Sequence, residues 1–434
     1  MRVVIIGGGE VGFHVAKALS EENFDITVID ISPEKCRRAS ENLDVIVVEG
    51  NGASPKTLVE ANVSEADYVL CLTRVDEVNL IASQQAHELG ATKIIARLRN
   101  QQYTTRHSII RPEKFGVDLV IHPERAATEE IIRLIHHPYA VQAMDFESGR
   151  LKMLGVYMDK TCASFLNRPL GEIALENNHF KFGIIAVLRN SETHVPWADF
   201  KFEIGDCIYF IVKAEDEPNL LGMLCKEAQE VKRVMILGGS KIGRSLAEEL
   251  KDTYSVRLIE ENRKKAEYIA HTIDDIMVIN GDGTDIEFLK AENIQDVDSF
   301  IAVTENEKTN LIAGLLAHHM GSGQTITHVT KTEYIPTIQE IGIVSVISKN
   351  LSTVNSILRE MHSDISNASV TTFEEIDVDV IEFQPEKGSR VVEAPLRELD
   401  FPADSIVGMI NHHGKSMLAR CDSQLTVDDI ALVF

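Results

Sequence analysis

Gly7, Gly9 and Gly12 stand in G-x-G-x-x-G spacing, and Asp30 follows about 20 residues downstream. Residues of these types at these positions can hold a dinucleotide. Gly7 permits a tight strand-to-helix turn, Gly9 lets the backbone approach a pyrophosphate, and Gly12 lets the helix lie close on the sheet. The free N–H groups at the helix start, aided by its dipole, hold the phosphates. A carboxylate at Asp30 accepts hydrogen bonds from ribose hydroxyls and repels a 2′-phosphate, which favours NAD over NADP. The bland alternative is a doubly wound sheet whose glycines only tighten a turn, so the motif needs its context.

That context is present. Val3 to Ile6 are four apolar residues, the pattern of a buried parallel strand, and Val11, Val15, Ala18 and Leu19 then recur at helical intervals. Ile26 to Ile29 form a second strand that ends at Asp30. The same unit returns later. Val234 to Leu237 precede Gly238, Gly239, Ser240 and Gly243, and the strand Val256 to Ile259 ends at Glu260. Four landmarks repeat at one constant offset: Gly50 with Gly281, Asp67 with Asp298, Thr73 with Thr304, and Asn79 with Asn310. A tandem duplication follows.

Strands are expected near 3–6, 26–29, 45–48, 68–72, 93–98 and 117–121, with helices including 11–21 and 78–89. Copy two repeats the strands at 234–237, 256–259, 276–279, 299–303, 326–330 and 343–347. The fold class is α/β: two tandem Rossmann-like, doubly wound parallel-sheet domains, each followed by a small α+β domain. A helix follows each sixth strand. In the first, His122 to Ile135, Ile131, Ile132, Leu134 and Ile135 make an apolar side that suits another subunit or its own sheet. The small modules carry Pro169-Leu-Gly-Glu-Ile173 and Pro395-Leu-Arg-Glu-Leu399. Gly205-Asp206 and Asp428-Asp429 read as turns feeding a final strand. The chain stops on that strand, so the second module is expected to be trimmed.

At 434 residues the chain is long enough for two to four domains, and 44% hydrophobic with 25% charged residues is ordinary for a globular protein. A net charge of −24 argues against nucleic acid and against direct docking on anionic lipid. No stretch approaches a membrane span and no leader precedes the first strand, so a cytoplasmic protein is expected. Cys36, Cys71, Cys162, Cys207, Cys225 and Cys421 are scattered and read as reduced thiols. The pairs His136–His137, His318–His319 and His412–His413 have no accompanying ligand set and read as non-metal.

Further residues belong to the carboxyl edge of the sheets, where doubly wound folds bind ligands. Gly50-Asn51-Gly52 either contacts the nucleoside side or makes a turn needing positive φ. Thr73 to Asp76 and Thr304 to Glu307 fit helix capping boxes, yet Thr73 can also touch ribose or phosphate. Arg74, Arg97 and Arg99 can neutralise phosphate charge; Glu305 stands where Arg74 does and would repel it. Ser240 replaces the middle glycine of the second turn and adds a Cβ there, although its hydroxyl can donate a hydrogen bond in partial compensation and Glu260 still offers a ribose acceptor. No positioned His, Lys or Cys–His set accompanies a substrate domain, which points to a sensor and not an enzyme. An NAD-dependent oxidoreductase remains the alternative.

The opening VVIIGGGEVG…VID, the Gly-x-Gly after strand three and the T-x-x-D-E-x-N at 73–79 resemble the RCK nucleotide-binding domain, the regulator of potassium conductance. The modules with P-L-x-E-[IL] resemble its companion C-terminal domain. Two such pairs in tandem resemble the TrkA family, peripheral regulatory subunits of bacterial Trk potassium uptake. The resemblance implies NAD or NADH, and also ATP or ADP, as ligands. It implies a TrkH-like membrane potassium channel or transporter as partner, a homodimer or homotetramer, and a place on the cytoplasmic side of the inner membrane; a regulatory subunit of a different cation channel or antiporter is a further alternative. By position, the first site is Gly7, Gly8, Gly9, Glu10, Val11, Asp30, Thr73, Arg74 and Arg97. The second is Gly238, Gly239, Ser240, Lys241, Ile242 and Glu260, with Gly281, Asp282 and Thr304 as further candidates. The implied division is 1–121, nucleotide-binding; 122–142, crossover helix; 143–228, small domain; 229–350, second nucleotide-type domain; 351–370, helix; and 371–434, second small domain.

Overall fold

The computed structural model describes the chain except residues 23, 104–107, 147–149, 177–179, 191, 225–230, 342, 344, 366–368, 374–377, 400–404, 413–414 and 421. Cys225, Cys421 and His413 therefore lie outside the described residues. The chain divides into two compact units. One comprises Met1–Glu129 with Ser348–Leu358, the other Glu130–Ile347 with Arg359–Phe434.

The first unit is built on six strands, β1 (Arg2–Ile6), β2 (Asp25–Asp30), β3 (Ile46–Glu49), β4 (Tyr68–Cys71), β5 (Lys93–Arg97) and β6 (Leu119–Ile121). Their order is β3-β2-β1-β4-β5-β6, with every pairing parallel. The order reverses beside β1, and the resulting crevice lies at the carboxyl ends of β1 and β4. The helices α1 (Glu10–Glu21), α2 (Pro33–Asn42), α3 (Pro55–Glu60) and α4 (Asp76–Leu89) connect these strands. Val4, Ile6, Val69, Cys71, Ile94 and Ala96 join Leu80, Ala82 and Ala86 of α4 in one buried cluster. The strands read as continuous apolar runs because both faces are covered.

The second unit repeats this sheet. Its strands are β12 (Arg233–Leu237), β13 (Ser255–Glu260), β14 (Met277–Asn280), β15 (Ser299–Ala302), β16 (Gln324–Val329) and β17 (Ser345–Ser348), ordered β14-β13-β12-β15-β16-β17. Their connecting helices are α8 (Lys241–Leu250), α9 (Arg263–Thr272), α10 (Ile286–Ala291), α11 (Glu307–His319) and α12 (Ile335–Glu340). Two antiparallel sheets of five strands complete the unit. The first contains β7 (Gln142–Phe146), β8 (Leu151–Tyr157), β9 (Phe182–Arg189), β10 (Glu192–His194) and β11 (Cys207–Lys213). The second contains β18 (Ser369–Phe373), β19 (Val378–Phe383), β20 (Val407–His412), β21 (Lys415–Leu418) and β22 (Asp429–Val433). They share a core in which Met153, Ile185 and Tyr209 meet Met409, Leu432 and Phe434. The acid before each final strand braces its turn: Asp206 accepts from Glu203 N and Asp429 from Thr426 N, at 2.8 and 2.7 Å. The two α/β sheets, each with a smaller α+β region after it, match the expected fold class.

The helix after β6, α5 (Pro123–His136), changes one expectation. Ile131, Leu134 and Ile135 are buried within the chain, and Leu134 O accepts from Gln324 Nε2 at the start of β16 (3.0 Å). The second half of the chain thus bonds this helix, a partner other than the second subunit or own sheet that its apolar side suggests. The corresponding helix α13 (Lys349–Ile365) places its first turns in the first unit.

Just beyond α5, Glu217 at the start of α7 (Glu217–Met223) gathers three donors. His137 Nδ1 and Lys152 Nζ each lie 2.7 Å from it, and Tyr139 OH donates to the same carboxylate. Burial pushes this carboxyl up, but the hydrogen bonds from His137, Lys152 and Tyr139 outweigh burial and hold it at about 2. A folded-state value below the unfolded one means stability is present above the unfolded value, near 4.5, and is lost as pH falls toward 2. Urea midpoints between pH 5 and 3 should therefore fall more steeply for the natural chain than for Glu217→Gln. Parallel slopes would contradict the assignment.

Candidate functional site

A cleft of ≈ 370 Å³ opens at the carboxyl ends of β1, β2 and β4, lined by Gly7, Gly9, Glu10, Val11, Asp30 and Thr73, with Arg74 and Arg97 on its far side. Its shape follows from the glycines. Gly7 has φ +114°, and a Cβ there would come within 2.9 Å of Thr73 N, so the turn excludes a side chain. A Cβ on Gly12 would meet Gly7 O at 1.9 Å, which lets α1 pack onto the turn. A Cβ on Gly9 would meet nothing within 4 Å: its face is open, toward the space a ligand needs. Gly9 is the N-cap of α1, and no side chain caps this helix. The first-turn amides are left for an anion.

Asp30 is buried beside this turn. Its Oδ2 accepts from Gly8 N (2.8 Å) and lies 3.3 Å from Lys35 Nζ, and its Oδ1 accepts from Ser32 N (2.8 Å). These bonds aim the carboxylate along the cleft wall. Ionised, it has about four acceptor positions, so ribose hydroxyls can still be received. Glu10, the acid nearest the phosphate side, is neutralised by Arg38 at 2.6 Å, whose guanidinium stacks on Phe13 at 4.0 Å. Burial pushes Glu10 up, and Arg38 more than offsets this and lowers it.

Behind Thr73 sits a residue with no role assigned from sequence. Asn79 is fully buried; its Nδ2 donates to Thr73 O (3.0 Å) and Arg97 O (2.7 Å), and its Oδ1 accepts from Thr73 N (2.9 Å). One side chain thus fixes the ends of β4 and β5 and places both Thr73 and Arg97. The Thr73 hydroxyl bonds Asn79 Oδ1 (2.6 Å) and accepts from Val75 N (3.3 Å), so it faces a ligand as an acceptor. The capping-box expectation fails. Val75 is the N-cap of α4, and Asp76 instead accepts from Arg99 N and Asn100 N. In copy two Asn306 caps α11, not Thr304.

Arg74 and Arg97 are the arginines that line the cleft, and Arg99 and Lys349 add positive charge around Arg97. Arg99 and Lys349 share Glu124, at 3.5 and 3.7 Å. Arg97 is 7% exposed, and its Nε has no hydrogen-bond partner among the described residues. Burial and the neighbouring Arg99 push its guanidinium down. Lys349 is likewise lowered, by burial first and by Arg99 and Arg97, while Glu124 partly offsets this. Asn350 also lines the cleft. Gly50, Asn51 and Gly52 line it too, but none of them has positive φ. Gly52 is needed for close approach, since a Cβ would meet Ile6 Cγ2 at 2.1 Å.

In the second sheet the acid and the clamp recur. Glu260 accepts from Gly239 N and Asn262 N, each at 2.9 Å, and pairs with Lys265 at 3.0 Å. Asn310 joins Thr304 O to His328 O at 3.1 and 3.0 Å.

The TrkA-N domain profile matches residues 3–123 and 234–349, more than half of the chain. The Trk system potassium uptake protein TrkA homolog 1 of Methanosarcina mazei is 31% identical over 444 residues, covering 100% of this chain and 97% of that protein. The TrkA of Halomonas elongata is 30% identical, covering 100% and 95%. The chain belongs to the TrkA family. Among solved structures, the GsuK channel bound to NAD aligns over 100% of this chain and 76% of that one with a TM-score of 0.61. At 16% identity this establishes the shared fold. The tandem arrangement of this TrkA-family chain is thus the RCK arrangement expected from its motifs.

Of the first-copy residues named from sequence, Gly7, Gly9, Glu10, Val11, Asp30, Thr73, Arg74 and Arg97 line the cleft, whereas Gly8 does not and its N–H donates to Asp30. Lys35 and Asn350 were missed: Lys35 left no signal beyond lying near Asp30, and Asn350 reaches the cleft from the far half of the sequence. An Arg97→Gln chain should melt no lower than the natural chain without nucleotide, because a poorly partnered buried cation is removed. Its melting temperature should rise less on adding ADP. An undiminished ADP-induced rise would remove Arg97 from the site.

Proposed function

We propose that this chain is a nucleotide-sensing regulatory subunit of a membrane potassium channel or transporter, and that its first-half cleft binds the nucleotide. The observation that carries this reading is the pairing of an uncapped glycine turn with Asp30 on one wall and buried Arg97 on the other. That arrangement suits an adenine nucleotide: ribose on the carboxylate, phosphates on the amides, remaining charge toward the arginines. Family membership supports the potassium-uptake context. GsuK, which shares the fold, has been solved with NAD and with ADP, which favours NAD or NADH and ATP or ADP as ligands here. No helix among the described residues is long and apolar enough to cross a membrane. In this reading the membrane partner supplies the ion path, and the chain works as a homo-oligomer on its cytoplasmic side.

Regulation requires that a nucleotide prefer one arrangement of the assembly over another. Asn350, from the first turn of α13, gives ligand in the cleft a direct hold on that helix. Potassium flux through the membrane partner, reconstituted with this chain, should change on adding NADH or ADP, and the nucleotide should be recovered unaltered. Oxidised or hydrolysed nucleotide, with flux unchanged, would replace regulation by catalysis.

A further inference from the structure

We infer that the second half takes no nucleoside phosphate at its glycine turn, because Ser240 fills the phosphate's place with its own hydroxyl. This rests on the proposed reading of the first cleft and deepens it: the chain then senses one nucleotide, in the first half.

Gly9 and Ser240 are equivalent N-caps, of α1 and α8. Gly9 presents an open face and an uncapped helix. Ser240 Oγ instead accepts from Gly243 N at 3.2 Å, and it donates to Val303 O at 2.6 Å. One contact caps the first turn of α8 with its own side chain, where no side chain caps α1. The other ties the turn to the end of β15, across the gap that remains open between Gly9 and the end of β4. A phosphate oxygen entering here would have to displace an oxygen that is already hydrogen-bonded on both sides.

The charges changed in the same direction. The Asn79 and Asn310 clamps fix the correspondence, because each bonds the carbonyl of Arg97 or of His328. By the same register Arg99 corresponds to Thr330 and Arg74 to Glu305. The two arginines that line the first cleft, Arg97 and Arg74, are therefore replaced by an imidazole and a carboxylate, and the neighbouring Arg99 by a hydroxyl. Lys241 replaces Glu10, but Lys241 is exposed, and Glu10 was already neutralised by Arg38. The ribose acid is retained as Glu260, where it braces Gly239 and Asn262 as Asp30 braces Gly8 and Ser32. Its retention is explained by the turn alone.

Calorimetric titration of ADP into the full chain tests this, with Asp30→Ala and with Ser240→Gly/Glu305→Arg. The natural chain should take one equivalent, Asp30→Ala should lose that equivalent, and Ser240→Gly/Glu305→Arg should gain a second. Two equivalents in the natural chain would overturn the inference. One retained at full affinity in Asp30→Ala removes Asp30 from the ribose, and the inference is then decided by whether Ser240→Gly/Glu305→Arg gains a second. A natural chain that binds no ADP sinks the reading of the first cleft; the inference about Ser240 is then decided by whether the double variant binds. Ser240→Gly alone, which restores the residue of the working turn, serves if Glu305→Arg disturbs folding.

Discussion

Asp30→Ala should weaken binding of both NADH and ADP by about 30- to 150-fold, the equivalent of about 2–3 kcal/mol for charge-assisted hydrogen bonds to the ribose. The same change orphans Gly8 N and Ser32 N, which now donate to the carboxylate, so the chain should also lose about 1–2 kcal/mol of stability. The two effects separate in Asp30→Asn, whose amide oxygen still accepts one N–H while the charge is gone. That variant should keep most of the stability and little of the affinity. Calorimetry for affinity and urea unfolding for stability read the two independently. Natural affinity in Asp30→Ala would remove the carboxylate from the ribose.

The second large effect belongs to Asn79. Its truncation to alanine leaves Thr73 N, Thr73 O and Arg97 O without their partner in a fully buried place. The expected cost is about 3–5 kcal/mol, at the upper end for a single substitution. Asn79→Asp should be no better, because a carboxylate cannot donate to the two carbonyls. Both changes should lower the urea midpoint and also abolish nucleotide binding, since Thr73 and Arg97 lose the group that positions them. A loss under about 1 kcal/mol would mean that β4 and β5 hold their ends without this clamp.

Much of this was legible in the chain itself. The glycine spacing and Asp30 sit on contiguous elements, so local pattern located the turn, the helix and the acid. The duplication was visible because residues with exacting geometry, such as Asn79 and Asn310, kept their offset. Their task was not visible, because a side chain bonding two separate strand ends leaves no local pattern. Thr73 and Asp76 mimicked a capping box for the same reason: the right residue types were engaged elsewhere, with Asn79 and with the amides after β5. The apolar side of α5 is buried within the chain, but its hydrogen bond to Gln324 of the second half leaves no trace in the local pattern. Asn350 could be found only by folding the chain.

The most direct measurement is a density map of the full chain with ADP bound. The account predicts a ribose on Asp30, the diphosphate over the amides of Gly9 to Val11 and directed toward Arg97, and no nucleotide at Ser240. Nucleotide density centred on the second turn, or a first turn left empty at saturating ADP, would contradict it.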